Sequence, residues 1–208
     1  MLLRLSLWFA VLVCALALAP VALASGGRYV FAGGTPGEQH QVVQALGASS
    51  FDWNLVPVQV TIHIVRNIPV SYSTQGQIWL DADLLDSGSF SWGVVQMEYG
   101  QQVQYTMLSP DAESRLTGML GAQQWCYDNP SLPRGANACE RFAATLAWSY
   151  WPSADNSMRP SGQSDWSASM GPKAFRIALS ALIGTPDRLD GLSSQVVALR
   201  TTAAAHER

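Results

Sequence analysis

Glu98 sits inside the segment 89–105, SFSWGVVQMEYGQQVQY, where apolar and polar residues recur with the period of an amphipathic helix. On such a helix Met97 and Gln101 lie one turn apart on the same face, with Glu98 beside them. Two donors at that spacing could hold an ion while the neighbouring carboxylate draws a proton from a bound water. The side chains actually present change that chemistry. A thioether is a soft donor suited to Cu(I) rather than Zn²⁺, and an amide oxygen is a weak zinc ligand. Without a metal to lower the pKa of its water, a lone glutamate activates water poorly for peptide hydrolysis. A second carboxylate, Glu140, lies downstream in CERFA. Two carboxyls facing one cleft could also serve as the acid and base of a glycosidase, although no sugar-binding pattern accompanies them.

Other catalytic arrangements find little support. His63 falls on the polar face of a strand, His40 in an early helix and His206 near the C-terminus, and none has ligand spacing to a partner. His63 is expected to make a hydrogen bond on a half-buried sheet face. No G-x-S-x-G elbow is present, and neither Cys126 nor Cys139 has a histidine beside it in sequence.

The elements that must position these groups follow from periodicity and from turn residues. Residues 28–32 form a short strand candidate. Residues 36–46 read as a helix with Val42, Val43 and Leu46 on one side. Residues 57–65, PVQVTIHIV, alternate, with Val58, Val60, Ile62 and Ile64 on one face and Gln59, Thr61 and His63 on the other. QIWLD at 77–81 is another strand, preceded by SYSTQG, which reads as a turn. Gly93 and Gly100 inside the 89–105 helix each cost up to about 1 kcal/mol relative to alanine, so close packing is expected there. Further helices are expected at 111–120 and 138–151, the latter aligning Phe142, Leu146 and Tyr150, and at 171–183, which has Pro172 at its start and Gly184 past its end. A loop rich in Ser, Asn and Pro spans 153–167.

The chain of 208 residues opens with Arg4, an apolar run over 5–18 and Ala22-Leu23-Ala24, the pattern of a cleaved signal peptide covering 1–24. A single domain is expected over 25–184, followed by a polar, flexible tail over 185–208. Export to an oxidising compartment makes a Cys126–Cys139 disulfide the expectation, stapling the turn-rich stretch YDNPSLPRGANA. With 12 basic and 15 acidic residues, and Lys173 the one lysine, the chain has no basic stripe for nucleic acid. The mature chain holds no apolar run long enough to span a membrane.

The string WGVVQMEYGQQV, preceded by GQIWLDADLL and followed by CERFA, resembles the compact gluzincins, a branch of the zincin metallopeptidases. In that family H-E-x-x-H supplies two zinc-binding histidines, and a glutamate on the next major helix completes the set. Here Met97 and Gln101 stand at the histidine positions, Glu98 at the general base and Glu140 at the third ligand. The family also runs an edge strand just before its active-site helix, which GQIWLDADLL would match. The resemblance implies an α+β, zincin-like fold, a small sheet packed on the active-site helix and on a second ligand-bearing helix. It also implies a secreted pseudoenzyme that expects no cofactor and that binds a protein or peptide in the old substrate cleft. In that cleft Gln101 is expected to donate to Glu140, and Glu98 to have a raised pKa. Two other functions stay open. One is an active metal-dependent peptidase with an unusual ligand set, which would use zinc. The other is a structural envelope protein in which Trp151 and Trp166 form a contact surface.

Overall fold

Alternation in VTIHIV decides the sheet. Val60, Ile62 and Ile64 are buried on one face while Thr61 and His63 are half-exposed on the other. The computed structural model describes residues 27–185. The leader expected at 1–24, His206 and the tail beyond residue 185 lie outside the described residues.

Strands β1 (Tyr29–Gly33), β2 (Val60–Val65), β3 (Tyr72–Thr74) and β4 (Gln77–Asp81) form one sheet in the order β1-β2-β4-β3. β1, β2 and β4 are parallel, and β3 is antiparallel at the edge. The ladder begins at Val60 rather than at Pro57, with the Val60 amide donating to the Arg28 carbonyl at 2.8 Å. Two sequence expectations are corrected here. SYSTQG is not a turn throughout, because Gln75 and Gly76, the latter at φ 77°, suffice to reverse the chain and leave Tyr72–Thr74 free to pair. QIWLD is therefore not the edge strand. It is interior, flanked by β2 and β3.

Six helices among the described residues complete a mixed α/β architecture compatible with an α+β class: α1 (Pro36–Ala48), α2 (Ala82–Leu85), α3 (Trp92–Met107), α4 (Pro110–Met119), α5 (Ala138–Tyr150) and α6 (Pro172–Ile183). α1 crosses between β1 and β2. Its start is fixed by a capping box in which the Glu38 amide donates to Thr35 Oγ1 at 3.3 Å and the Thr35 amide donates to Glu38 Oε2 at 2.7 Å. It buries Val42, Ala45 and Leu46, whereas Val43 lies about a quarter-turn away from them and is exposed.

α3 is not the amphipathic surface helix its pattern suggests, because residues 95–104 are all buried. Its glutamines are inside, and two of them tie α3 to its neighbours. Gln96 Nε2 donates to the Ala45 carbonyl at 2.7 Å. Gln102 Oε1 accepts from the Gly76 amide at 2.7 Å while its Nε2 donates to the Thr74 carbonyl at 2.9 Å. These bonds compensate polar burial and fix α3 against α1 and the β3–β4 turn. Gly93 permits close approach: a Cβ there would lie 2.3 Å from Asn156 Oδ1. At Gly100 the expected tight packing is absent, since a Cβ there would make only ordinary contacts with Ala143 and Leu146 of α5 at 3.6–3.7 Å. The core lies between the sheet and helices α1, α3, α5 and α6, with Trp53, Tyr99, Phe142 and Phe175 fully enclosed. α6 ends at Gly184, whose φ of 68° is the left-handed cap that glycine favours.

Candidate functional site

The antiparallel register places Ser73 opposite Ile78, a core-facing residue, so Ser73 points to the helical side of the sheet. There its hydroxyl donates to Glu98 Oε2 at 3.0 Å. Glu98 is only 3% exposed, and it borders two cavities. One, of about 340 Å³, is the more polar of the two and is lined by Tyr72, Ser73, Tyr105, Tyr127 and Glu140 among others. The second, of about 300 Å³, is apolar and is walled by Val70, Leu84, Val94, Met97, Met158 and Trp166. Glu98 and Arg134 line both, so they stand at the divide between two lobes of one cleft. A larger hollow of about 490 Å³ opens beside the 157–167 loop, but Asp165 there is spent on Ser161 and the Gly162 amide.

The disulfide loop supplies the cleft's remaining polar groups. Cys126 and Cys139 are bonded, with Cα atoms 5.4 Å apart. The chain between them carries Tyr127 and Arg134 back to Glu140, the residue after Cys139. The Tyr127 hydroxyl donates to Glu140 Oε1, and Arg134 Nη2 lies 2.9 Å from Glu140 Oε2 as an ion pair off the hydrogen-bond axis. The Arg134 guanidinium also sits over the Trp166 ring, 5.5 Å from its centroid. Gly135 is required for that approach, since a Cβ there would meet Trp166 Nε1 at 2.4 Å. Tyr127 has a left-handed backbone, φ 56°, an uncommon state for tyrosine that the surrounding structure must impose. Asn137 Oδ1 helps to impose it, accepting from the Tyr127 amide at 2.8 Å and from Gln124 Nε2 at 2.6 Å.

Burial pushes the Glu98 carboxyl up to about 7, with nearby Glu140 adding to the rise while the Ser73 hydrogen bond and Arg134 oppose it. Desolvation and then the contact with Glu140 raise the Tyr127 phenol to about 12. Arg134 is raised by Glu140 against an opposing desolvation, so it stays charged.

The residues present do not suit zinc. Met97 packs against Ala143, Ala144 and Ala147 of α5, whose small side chains make room for it. Gln101 does not hydrogen-bond to Glu140 as expected. Its carbonyl oxygen accepts from Gln104, while the Glu140 carboxylate is engaged by Tyr127 and Arg134. The carboxylate expected at a third-ligand position is thus answered by a guanidinium. Among the described residues no group of three or more His, Cys, Asp or Glu side chains could hold an ion.

His63 lies on the opposite sheet face, with Nε2 3.0 Å from Gln77 Oε1 and its ring stacked on Trp79. Trp151 and Trp166 do not form an exposed surface. Both are half-buried, Trp151 against Trp92 and Trp166 in the cleft wall. Sequence reasoning missed Ser73, Tyr127 and Arg134. The signal for the last two was their place inside the Cys126–Cys139 loop, which ends one residue before Glu140. No family model, curated protein or solved structure matches the chain.

Proposed function

We propose that this chain is an exported, zincin-like pseudoenzyme, a non-catalytic module that takes an extended protein or peptide segment into the cleft around Glu98. The observation that carries this reading is the Arg134–Glu140 pair. Where the metallopeptidase pattern calls for a carboxylate on an ion, the carboxylate is neutralised from within the protein, and Met97 fills a ligand position with apolar volume. Two further features support a peptide ligand. β3 is an unpaired edge beside the cleft, the geometry by which extended chains add a strand, and the apolar lobe lies next to it for a side chain. The disulfide favours an oxidising, extracytoplasmic setting. A paired-carboxylate hydrolase is less favoured, since Glu140 is held by Tyr127 and Arg134.

Metal analysis and zinc titration of the purified chain and its variants test the reading. The native chain should hold well under one equivalent of zinc and leave unfolded casein intact. Met97→His with Gln101→His should bind zinc weakly while Arg134 occupies Glu140, and adding Arg134→Ala should tighten binding about tenfold or more. Stoichiometric zinc in the native chain, with casein cleavage abolished by Glu98→Gln, overturns the reading.

A further inference from the structure

Glu98 is a buried carboxylate without a counter-ion among the described residues. Arg134 is the nearest cation in the cleft, but its charge is committed to Glu140 and its face to Trp166. That pair is neutral overall, so an ionised Glu98 leaves the cleft with one uncompensated negative charge. Ser73 satisfies Oε2, while Oε1 has no hydrogen-bond partner among the described residues, and the residue lines the polar lobe.

Two tyrosines, of α3 and of the disulfide loop, line the same lobe: Tyr105 and Tyr127. Both are tethered by their hydroxyls, Tyr127 to Glu140 and Tyr105 to the Ser73 carbonyl at 3.3 Å, which holds their rings at the cavity wall. Tyr72 also borders the lobe, but its ring stacks on Trp79 at 4.8 Å on the opposite face of the sheet. An aromatic wall around one uncompensated carboxylate is the chemistry that recognises organic cations. An anion entering here would meet Glu98 and Glu140 with only a spent arginine to receive it. A neutral group would leave the carboxylate desolvated and unpaired.

We propose that the polar lobe is a recognition site for a cationic group of the ligand, an ammonium or guanidinium, with Glu98 as its counter-ion and Tyr105 and Tyr127 beside it. The proposal deepens the reading of the cleft as a peptide site and rests on it for the identity of the ligand. In the free protein Glu98 meets the cost of burial by holding a proton near neutral pH, and the ligand cation displaces that proton. The cation is a lysine or arginine side chain of an extended segment or a free chain N-terminus.

Calorimetry on the disulfide-intact chain decides the matter. The probes are a capped alanine pentapeptide with central lysine, its norleucine and glutamate analogues, uncapped pentaalanine, and n-butylammonium chloride. The lysine peptide should bind about tenfold or more tighter than the norleucine peptide. Binding should release close to one proton at about pH 6 and almost none at about pH 9, read from buffers of different ionisation enthalpy. Glu98→Gln, with its fold checked by circular dichroism, should lose both the preference and the proton release. If the uncapped peptide equals or exceeds the lysine peptide, the cation is a chain terminus and the site stands. Equal binding of lysine and norleucine peptides overturns the cation site and leaves the peptide reading intact, and preference for glutamate overturns it in favour of Arg134 as the anchor. Glu98-dependent binding of n-butylammonium with every peptide silent keeps the cation site and removes the peptide reading. Silence of all probes overturns both.

Discussion

Glu98→Gln should make the protein more stable, and only above mildly acidic pH. The glutamine side chain has the same shape and keeps an oxygen to accept from Ser73, so the substitution removes little besides the ionisable proton. In the folded protein the Glu98 carboxyl is raised from the ordinary 4.5 to about 7, chiefly by burial. The neutral form is the one the fold prefers. Its contribution is fully present below about pH 4.5, declines as pH rises towards 7, and is lost above about pH 8. A rise of this size corresponds to about 3 kcal/mol at the plateau, to order of magnitude. The melting point of a domain this size should shift by roughly 6–12 °C. Urea unfolding of wild type and Glu98→Gln, followed by tryptophan fluorescence at intervals from about pH 4.5 to 9, measures it directly. The other carboxylates contribute to both proteins and cancel in the difference. The two stabilities should coincide at the acid end and diverge with pH by about 3 kcal/mol. Curves that stay parallel to within about 0.5 kcal/mol across the range would refute the claim that Glu98 is strained by burial.

Arg134→Ala leaves Glu140, itself only 3% exposed, without its cation. Breaking a fully buried pair costs about 3–5 kcal/mol, and the 39% exposure of the Arg134 side chain reduces the expectation to about 1–3 kcal/mol. Arg134→Ala combined with Glu140→Gln should recover at least half of that loss, whereas simple addition of the two single losses would show that the pair is not coupled. Cys126→Ser with Cys139→Ser opens a loop whose ends are 13 residues apart and should cost about 3 kcal/mol in urea unfolding. The same variant should lower the lysine-over-norleucine preference of the cleft, and an unchanged preference would show that the loop does not shape the polar lobe.

The sheet's centre and the four longest helices were legible because each signal was local. Alternation in VTIHIV, the Pro172 and Gly184 punctuation of α6, and the Phe142-Leu146-Tyr150 stripe of α5 each lie within one segment. β3 was not legible, since three residues flanked by Ser, Gln and Gly carry no pattern of their own and become a strand only by pairing with β4. α3 was placed correctly but read with the wrong exposure. Its amphipathic period gave no sign that its glutamines are buried, and the neighbouring Ala45, Thr74 and Gly76 backbone groups make Gln96 and Gln102 tolerable inside. The candidate site divided the same way. Glu98 and Glu140 announced themselves as isolated carboxylates in apolar helices, but the partner of each is on another element: Ser73 on the edge strand, and Tyr127 and Arg134 in the disulfide loop.

That loop changes how the two carboxylates are to be understood. Without Arg134, Glu140 would be an unpaired charge, only 3% exposed, in the wall of a cleft. Such a charge is costly enough to demand a partner. The partner here comes from a segment outside the helix motif, held by the bond between Cys126 and Cys139, by Asn137 and by the clearance Gly135 gives Trp166. The loop neutralises Glu140 and leaves Glu98 without a cation. A cleft with both carboxylates neutralised would have no electrostatic preference, and one with neither would be hard to keep folded around. The division between them gives the site a direction: one carboxylate serves the fold, and the other remains for a ligand.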